Sequence, residues 1–168
     1  MNFINQSNQF ESRIWHSGSG IQCEKSLIFK ELINICNDTS CKVFVGSDSA
    51  ITSDQITFCS AACIYGYPSI SKYFFTKFKV KSSNFPTLIS RILEETRLSL
   101  EIANDLVENY KLSLNKIELH LDVSPFGANT KTSKFSDMLK GYVTGAGYNC
   151  RIKPFAWASQ SVADRHSK

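Results

Sequence analysis

A small set of acidic residues follows apolar stretches able to fix their positions. Asp48 comes after Val45-Gly46-Ser47 at the end of one strand-like run, and Asp122 ends the alternating run Ile117, Leu119, Leu121. If the two runs lie parallel and adjacent, both carboxylates emerge at the edge formed by the strands' carboxyl ends, where α/β proteins bind ligands. A long helix returning antiparallel to the second run brings a third acid past that edge, and two candidates exist. From Glu95, the positions on the same helical face are Leu98, Ser99, Ile102 and Ala103, a small apolar stripe suited to lying on a sheet. From Glu101 they are Asn104, Asp105, Glu108 and Asn109, a wet face. Length favours Glu101 instead: six residues of strand at about 3.3 Å match about 13 of helix at about 1.5 Å, reaching back to about residue 100. Glu95 is preferred because the helix can overshoot the strand, and Glu101 is kept as the alternative. A fourth acid, Asp164 in Ser-Val-Ala-Asp-Arg-His, sits on the last helix, where Lys168 four positions on is its ordinary partner. Carboxylates gathered at one edge raise one another's pKa by repulsion, and a divalent cation relieves the conflict. Mg²⁺ prefers oxygen ligands, with Mn²⁺ as a substitute.

The elements that must hold these residues can be read from periodicity. After a polar start, Ser17-Gly18-Ser19-Gly20 reads as a flexible connection, and Leu27, Ile28, Leu32, Ile33 and Ile35 recur at helical spacing in a short amphipathic helix. Three strand-like runs at 42–48, 55–65 and 71–81 are separated by hairpin-type connections and form an antiparallel meander. Ser82-Ser83-Asn84 offers a cap, and Pro86 a first-turn residue, for a long helix to about residue 110. A strand to Val123, a helix over 132–143, a short strand over 150–153 and a helix from about residue 157 complete the order β-β-β-α-β-α-β-α. This is an α/β fold with a sheet of mixed direction.

The chain's 168 residues suit one core, and 42% hydrophobic with 20% charged residues exclude a disordered chain. No apolar run approaches the length of a membrane span, and the start lacks a signal-peptide layout, so the expected compartment is the cytoplasm. None of the six cysteines makes a CxxC pair, which argues against zinc or disulfide chemistry. The +4 charge is unevenly placed: residues 70–100 carry six bases against two acids, and 149–168 carry four bases against one acid.

Beyond these readings, the acids and strand order resemble the RNase H superfamily, which places carboxylates on the first strand, the first long helix, the fourth strand and the last helix. VFVGSDSA, ETRLSLEIA, IELHLDVSP, GYVTGAGYNCRIKPFAWAS and SVADRHSK more closely resemble the YkuK-type family of predicted RNase H-related nucleases. The resemblance covers about residues 43–168 and divides the chain into a polar segment with a short helix, 1–40, and an RNase H-like domain, 41–168. It implies Asp48, Glu95, Asp122 and Asp164 as catalytic and metal-binding residues of a nuclease. Hydrolysis of nucleic-acid phosphodiesters with two Mg²⁺ or Mn²⁺ ions about 4 Å apart is the expected chemistry. Asp48 and Asp122 would be central ligands, with Glu95 and Asp164 flanking. Ser124 stands before Pro125 where relatives carry asparagine. The rival reading is a nucleic-acid-binding module that kept the fold and lost catalysis. An actin-like ATPase would need a second domain and Gly-rich phosphate loops, and a proofreading-type exonuclease a second acid where this chain has Ala50.

Arg151, Lys153 and Arg165 lie near the inferred site and are candidates for backbone phosphate contacts with DNA, RNA or a hybrid. Lys77, Lys79 and Lys81 project from the third strand, expected to be a sheet edge that they protect from aggregation. His166, about 200° round the helix from Asp164, and His120, in a strand, stay outside the site. Trp157 is expected to pack the last helix ahead of stacking on a base.

Overall fold

The computed structural model describes residues 13–67 and 70–168; the polar start over residues 1–12 lies outside them. Two short strands, β1 (Trp15–Ser17) and β2 (Gln22–Cys23), precede helix α1 (Lys25–Asp38). The meander follows as β3 (Lys42–Thr52), β4 (Gln55–Gly66) and β5 (Ile70–Lys81), then helix α2 (Leu88–Glu108) and strand β6 (Ile117–His120). Helix α3 (Ser136–Gly145), strand β7 (Asn149–Arg151), a π-helical stretch (Ala158–Ala163) and helix α4 (Asp164–Ser167) close the chain. The seven strands form one mixed sheet in the order β2-β1-β5-β4-β3-β6-β7, with β3, β6 and β7 parallel. The order and the directions match the expected RNase H-like α/β fold.

Alternation along β3 decides what lies on each face. Val43 and Val45 enter a core with Ile28, Phe29 and Leu32 of α1 and Ile102, Ala103 and Leu106 of α2. Phe44 packs on the opposite face with Trp157, Ala158 and Ala163 of the C-terminal helical segment. Helices therefore cover both faces of the sheet, as parallel strands require.

Several sequence expectations are corrected. The Gly-Ser connection is the turn of a hairpin: β1 pairs with β2, and its other side pairs with β5 over Phe74–Thr76. β5 is thus interior over Phe74–Thr76, while Lys77, Lys79 and Lys81 lie past the end of the pairing with β1, on the part of the strand whose neighbour among the described residues is β4. Phe78 and Val80, alternating with those lysines, pack against Ile56, Phe58 and Leu98. In α1 the buried stripe is Ile28, Phe29, Leu32 and Cys36, while Leu27 is exposed. The long helix is capped by Thr87, whose side chain accepts from the Ser90 amide in a capping box; residues 82–84 form a separate 3₁₀ turn.

Candidate carboxylate site

Asp48 lies in the middle of β3, because β4 pairs with every β3 residue from Lys42 to Thr52. What ends near it is the other neighbour: β6 stops at His120, opposite Gly46. Beyond that point Leu121 N–H donates to the Arg151 carbonyl and Lys153 N–H to the Val123 carbonyl, so the chain carrying Asp122 continues alongside β7. Extending the parallel register by two residues sets Asp122 beside Asp48. The site edge is therefore made by the shortness of β6, and β3 projects past it.

The same alternation divides the acids. Asp48 shares the face of Phe44 and Gly46, and Ser167 of α4 donates to its Oδ2 at 2.7 Å. Ser47 and Ser49 point to the α2 face, where Ser49 Oγ donates to Glu95 Oε1 at 2.6 Å. Helix α2 is held in that register by a buried hydroxyl chain: Ser99 Oγ donates to Ser47 Oγ at 2.9 Å, and Ser47 and Ser60 are 2.7 Å apart. The small stripe predicted from Glu95 is the buried one, with Leu98, Ser99, Ile102 and Ala103 all against the sheet. Glu101 is turned away and ion-paired with Arg13 at 3.1 Å and Arg97 at 3.5 Å. Glu95 and Asp122 both line a cavity of about 10 Å³ beneath this edge, about the room that one water needs.

Asp164 reaches the edge from the opposite side through a close backbone approach. A side chain at Gly46 would put Cβ 2.5 Å from the Ser159 nitrogen and 2.9 Å from the Ala158 carbonyl carbon, so only glycine lets the π-helical stretch lie against β3. π-helical turns are rare and tend to occur at functional sites. Here the wide turn is followed at once by Asp164.

The electrostatics join all four acids. Burial pushes Asp48 up to about 6; Ser167 opposes the shift, and Asp122 and Asp164 add to it. Burial pushes Glu95 up to about 8, opposed by Ser49 and reinforced by Asp48 and Asp122. Two lysines answer this excess of negative charge. Lys153 Nζ is 2.9 Å from Asp122 Oδ1, and Lys168 Nζ is 2.7 Å from Asp164. The Lys168 ammonium is held above its usual range by the hydrogen bond to Asp164, with Asp48 and Asp122 also contributing. Each carboxylate thus has its own polar partner: a donating hydroxyl, Ser167 or Ser49, for Asp48 and Glu95, and an ammonium ion pair, Lys153 or Lys168, for Asp122 and Asp164. Among the described residues no three His, Cys, Asp or Glu side chains converge closely enough to hold a metal ion. The donor set still fits a hard divalent cation in kind and charge. It consists of carboxylate oxygens, two of them on groups that resist ionisation while the negative charge is uncompensated.

Ser49 and Ser167 escaped sequence reasoning, although each had a positional signal: Ser49 follows Asp48 directly, and Ser167 stands three residues past Asp164 on one helical face. Arg151 pairs with Glu118 at 2.7 Å, and Arg165 is exposed. His120 is buried; its Nδ1 accepts from the Ala158 amide at 3.0 Å, and its Nε2 lies 3.3 Å from Glu118. Burial lowers its pKa, as for a structural imidazole. His166 stacks on Phe75 at 3.7 Å between ring centroids, while Trp157 packs against Phe44, His120 and Tyr65.

In comparison with known proteins, the family model described as ribonuclease H-like matches residues 27–168. No curated protein and no solved structure matches the chain. No helix among the described residues is long and apolar enough to cross a membrane.

Proposed function

The chain belongs to the ribonuclease H-like family, and from that premise we propose that it is a metal-dependent nuclease of the YkuK type hydrolysing nucleic-acid phosphodiester bonds. The observation that carries this reading is the coupling of Asp48, Glu95, Asp122 and Asp164 at the end of β6, with Asp48 and Glu95 pushed up toward neutrality. Asp48 and Asp122 would hold the cation, with Glu95 and Asp164 flanking it. When bound, two Mg²⁺ or Mn²⁺ ions supply charge stabilisation for both the attacking and the leaving oxygen of an in-line displacement.

The chain's own residues prepare that chemistry. Ser167 and Ser49 fix the orientation of Asp48 and Glu95 from opposite faces of the sheet. Lys153 and Lys168 pair with Asp122 and Asp164, and both ammonium groups are exposed enough to turn toward a substrate phosphate. Arg151 and Arg165 would contact the nucleic-acid backbone farther along, positioning it without reading sequence.

One observation favours the second reading, a nucleic-acid-binding module without catalysis: the carboxylates do not form a ready three-donor cage. The two readings separate when purified protein is incubated with labelled single-stranded, duplex and hybrid oligonucleotides in Mg²⁺ or Mn²⁺, beside Asp48→Asn and Asp122→Asn. The nuclease reading expects cleavage by the wild type that drops to background in both variants. It also expects Mn²⁺ binding, followed by electron paramagnetic resonance, to weaken in both. Nucleic-acid binding with equal inertness of wild type and variants would leave the binding module standing.

A further inference from the structure

The two loops that flank Asp122 share an unusual composition. Residues 124–134, after β6, contain Phe126, Lys131 and Lys134 and no acid; residues 149–155, around β7, contain Arg151, Lys153 and Phe155 and no acid. Both phenylalanines are turned to solvent, Phe126 at 71% exposure and Phe155 at 64%. Neither ring packs against another aromatic ring among the described residues, in contrast to Trp157, whose indole meets three.

Backbone connectivity places both residues near the segment that carries Asp122. Lys153 N–H is bonded to the Val123 carbonyl, one residue from Asp122. Phe126 lies three residues beyond Val123, and Phe155 two beyond Lys153, so chain reach limits their Cα atoms to about 11 Å and 7 Å from the Cα atoms of the two residues that this bond joins. Turns closed by Ala128 N–H to the Pro125 carbonyl and Phe155 N–H to the Ile152 carbonyl keep both loop starts compact. On the far side of the first loop, Lys131 and Lys134 line a cavity of about 460 Å³ with Thr87 and Thr130.

Exposed rings beside cations suit one class of ligand. Bases inside a duplex offer their faces only to one another, whereas an unpaired strand presents them to aromatic side chains while lysines follow its phosphates. We propose that the site takes a single-stranded nucleic acid, its bases stacking on Phe126 and Phe155 and its backbone running toward Lys131 and Lys134. This substrate assignment rests on the nuclease reading above, and the test keeps the two apart.

Binding is measured by fluorescence anisotropy on the full chain in chelator, where no cleavage occurs, with labelled single strands and duplexes of one sequence. Single strands should bind more tightly than duplexes. Phe126→Ala and Phe155→Ala should each weaken single-strand binding roughly tenfold and leave the salt dependence unchanged, while Phe126→Trp and Phe155→Trp retain it. Lys131→Gln with Lys134→Gln should instead flatten the slope of log affinity against log salt by about 0.7 per lost phosphate contact. Equal single-strand affinity in wild type and both alanine variants, or a preference for duplex, would overturn the assignment. So would a dimer in sedimentation that dissolves in the alanine variants without any single-strand preference, since the rings would then be a contact between copies. Ring-dependent single-strand binding without cleavage in Mg²⁺ or Mn²⁺ would keep the assignment and remove the nuclease reading; cleavage indifferent to both rings would do the reverse.

Discussion

At the scale of single residues, the carboxylate edge works against the fold when no cation is present. Asp48 is buried, and its carboxyl titrates at about 6 where an unfolded aspartate titrates near 3.8. A folded-state pKa above the unfolded one means that the folded chain holds more protons between these values, so stability falls as pH rises from about 4 to about 6 and stays lower above. Glu95, pushed up to about 8, extends the same decline to higher pH. The cost at Asp48 is at most about 3 kcal/mol. Asp48→Asn removes the charge while its amide oxygen still accepts from Ser167. In chelator at pH 7.5 the variant should therefore melt higher than wild type by about 5 °C, and at pH 4, where Asp48 is already protonated in the folded chain, the gap should shrink to about 1 °C. Differential scanning calorimetry at the two pH values decides this; a variant that melts lower at pH 7.5 would show that the carboxylate is stabilised by its surroundings.

At the scale of elements, the site depends on three segments meeting across β3, and the tightest meeting is at Gly46. Replacing it with alanine drives Cβ into the Ser159 nitrogen and Ala158 carbonyl carbon, both backbone atoms with no rotamer to yield. Overpacking of this kind costs about 1–3 kcal/mol, so Gly46→Ala should lower the melting temperature by about 4–10 °C. Because the displaced segment carries Asp164 and Ser167, Mn²⁺ binding should fall further than the stability loss explains, whereas Gly141→Ala, with open space around it, should leave binding unchanged. Much of this edge was legible beforehand. Asp48 and Asp122 follow apolar runs, and the Leu98-Ser99-Ile102-Ala103 stripe picks out the face on which Glu95 lies. The full length of β3 was not legible, because Ser49 to Thr52 read as part of a hairpin connection and become strand only through pairing with β4. Nor was the π-helical turn, which is set by approach to a distant glycine and has no local period.

At the scale of the molecule, the hairpin β1–β2 shows why the chain's first described segment cannot be separated from the rest by packing. Its three-residue strand is too short to display alternation, yet Trp15 is fully buried, edge-on to Phe29 at 5.4 Å, in the core that includes Val43, Val45 and Leu106. The other tryptophan, Trp157, lies on the opposite face of the sheet against Phe44. The two indoles therefore report on the two layers. Trp15→Ala leaves a cavity worth about 3–5 kcal/mol, a large part of the 5–15 kcal/mol typical of a folded domain. If the sheet couples its faces into one cooperative unit, urea unfolding of this variant followed by Trp157 fluorescence should shift to a lower midpoint together with the far-ultraviolet dichroism, in a single transition. A Trp157 transition unmoved by Trp15→Ala would mean that the hairpin and α1 unfold on their own, leaving the carboxylate edge standing on β3, β6 and the C-terminal helical segment.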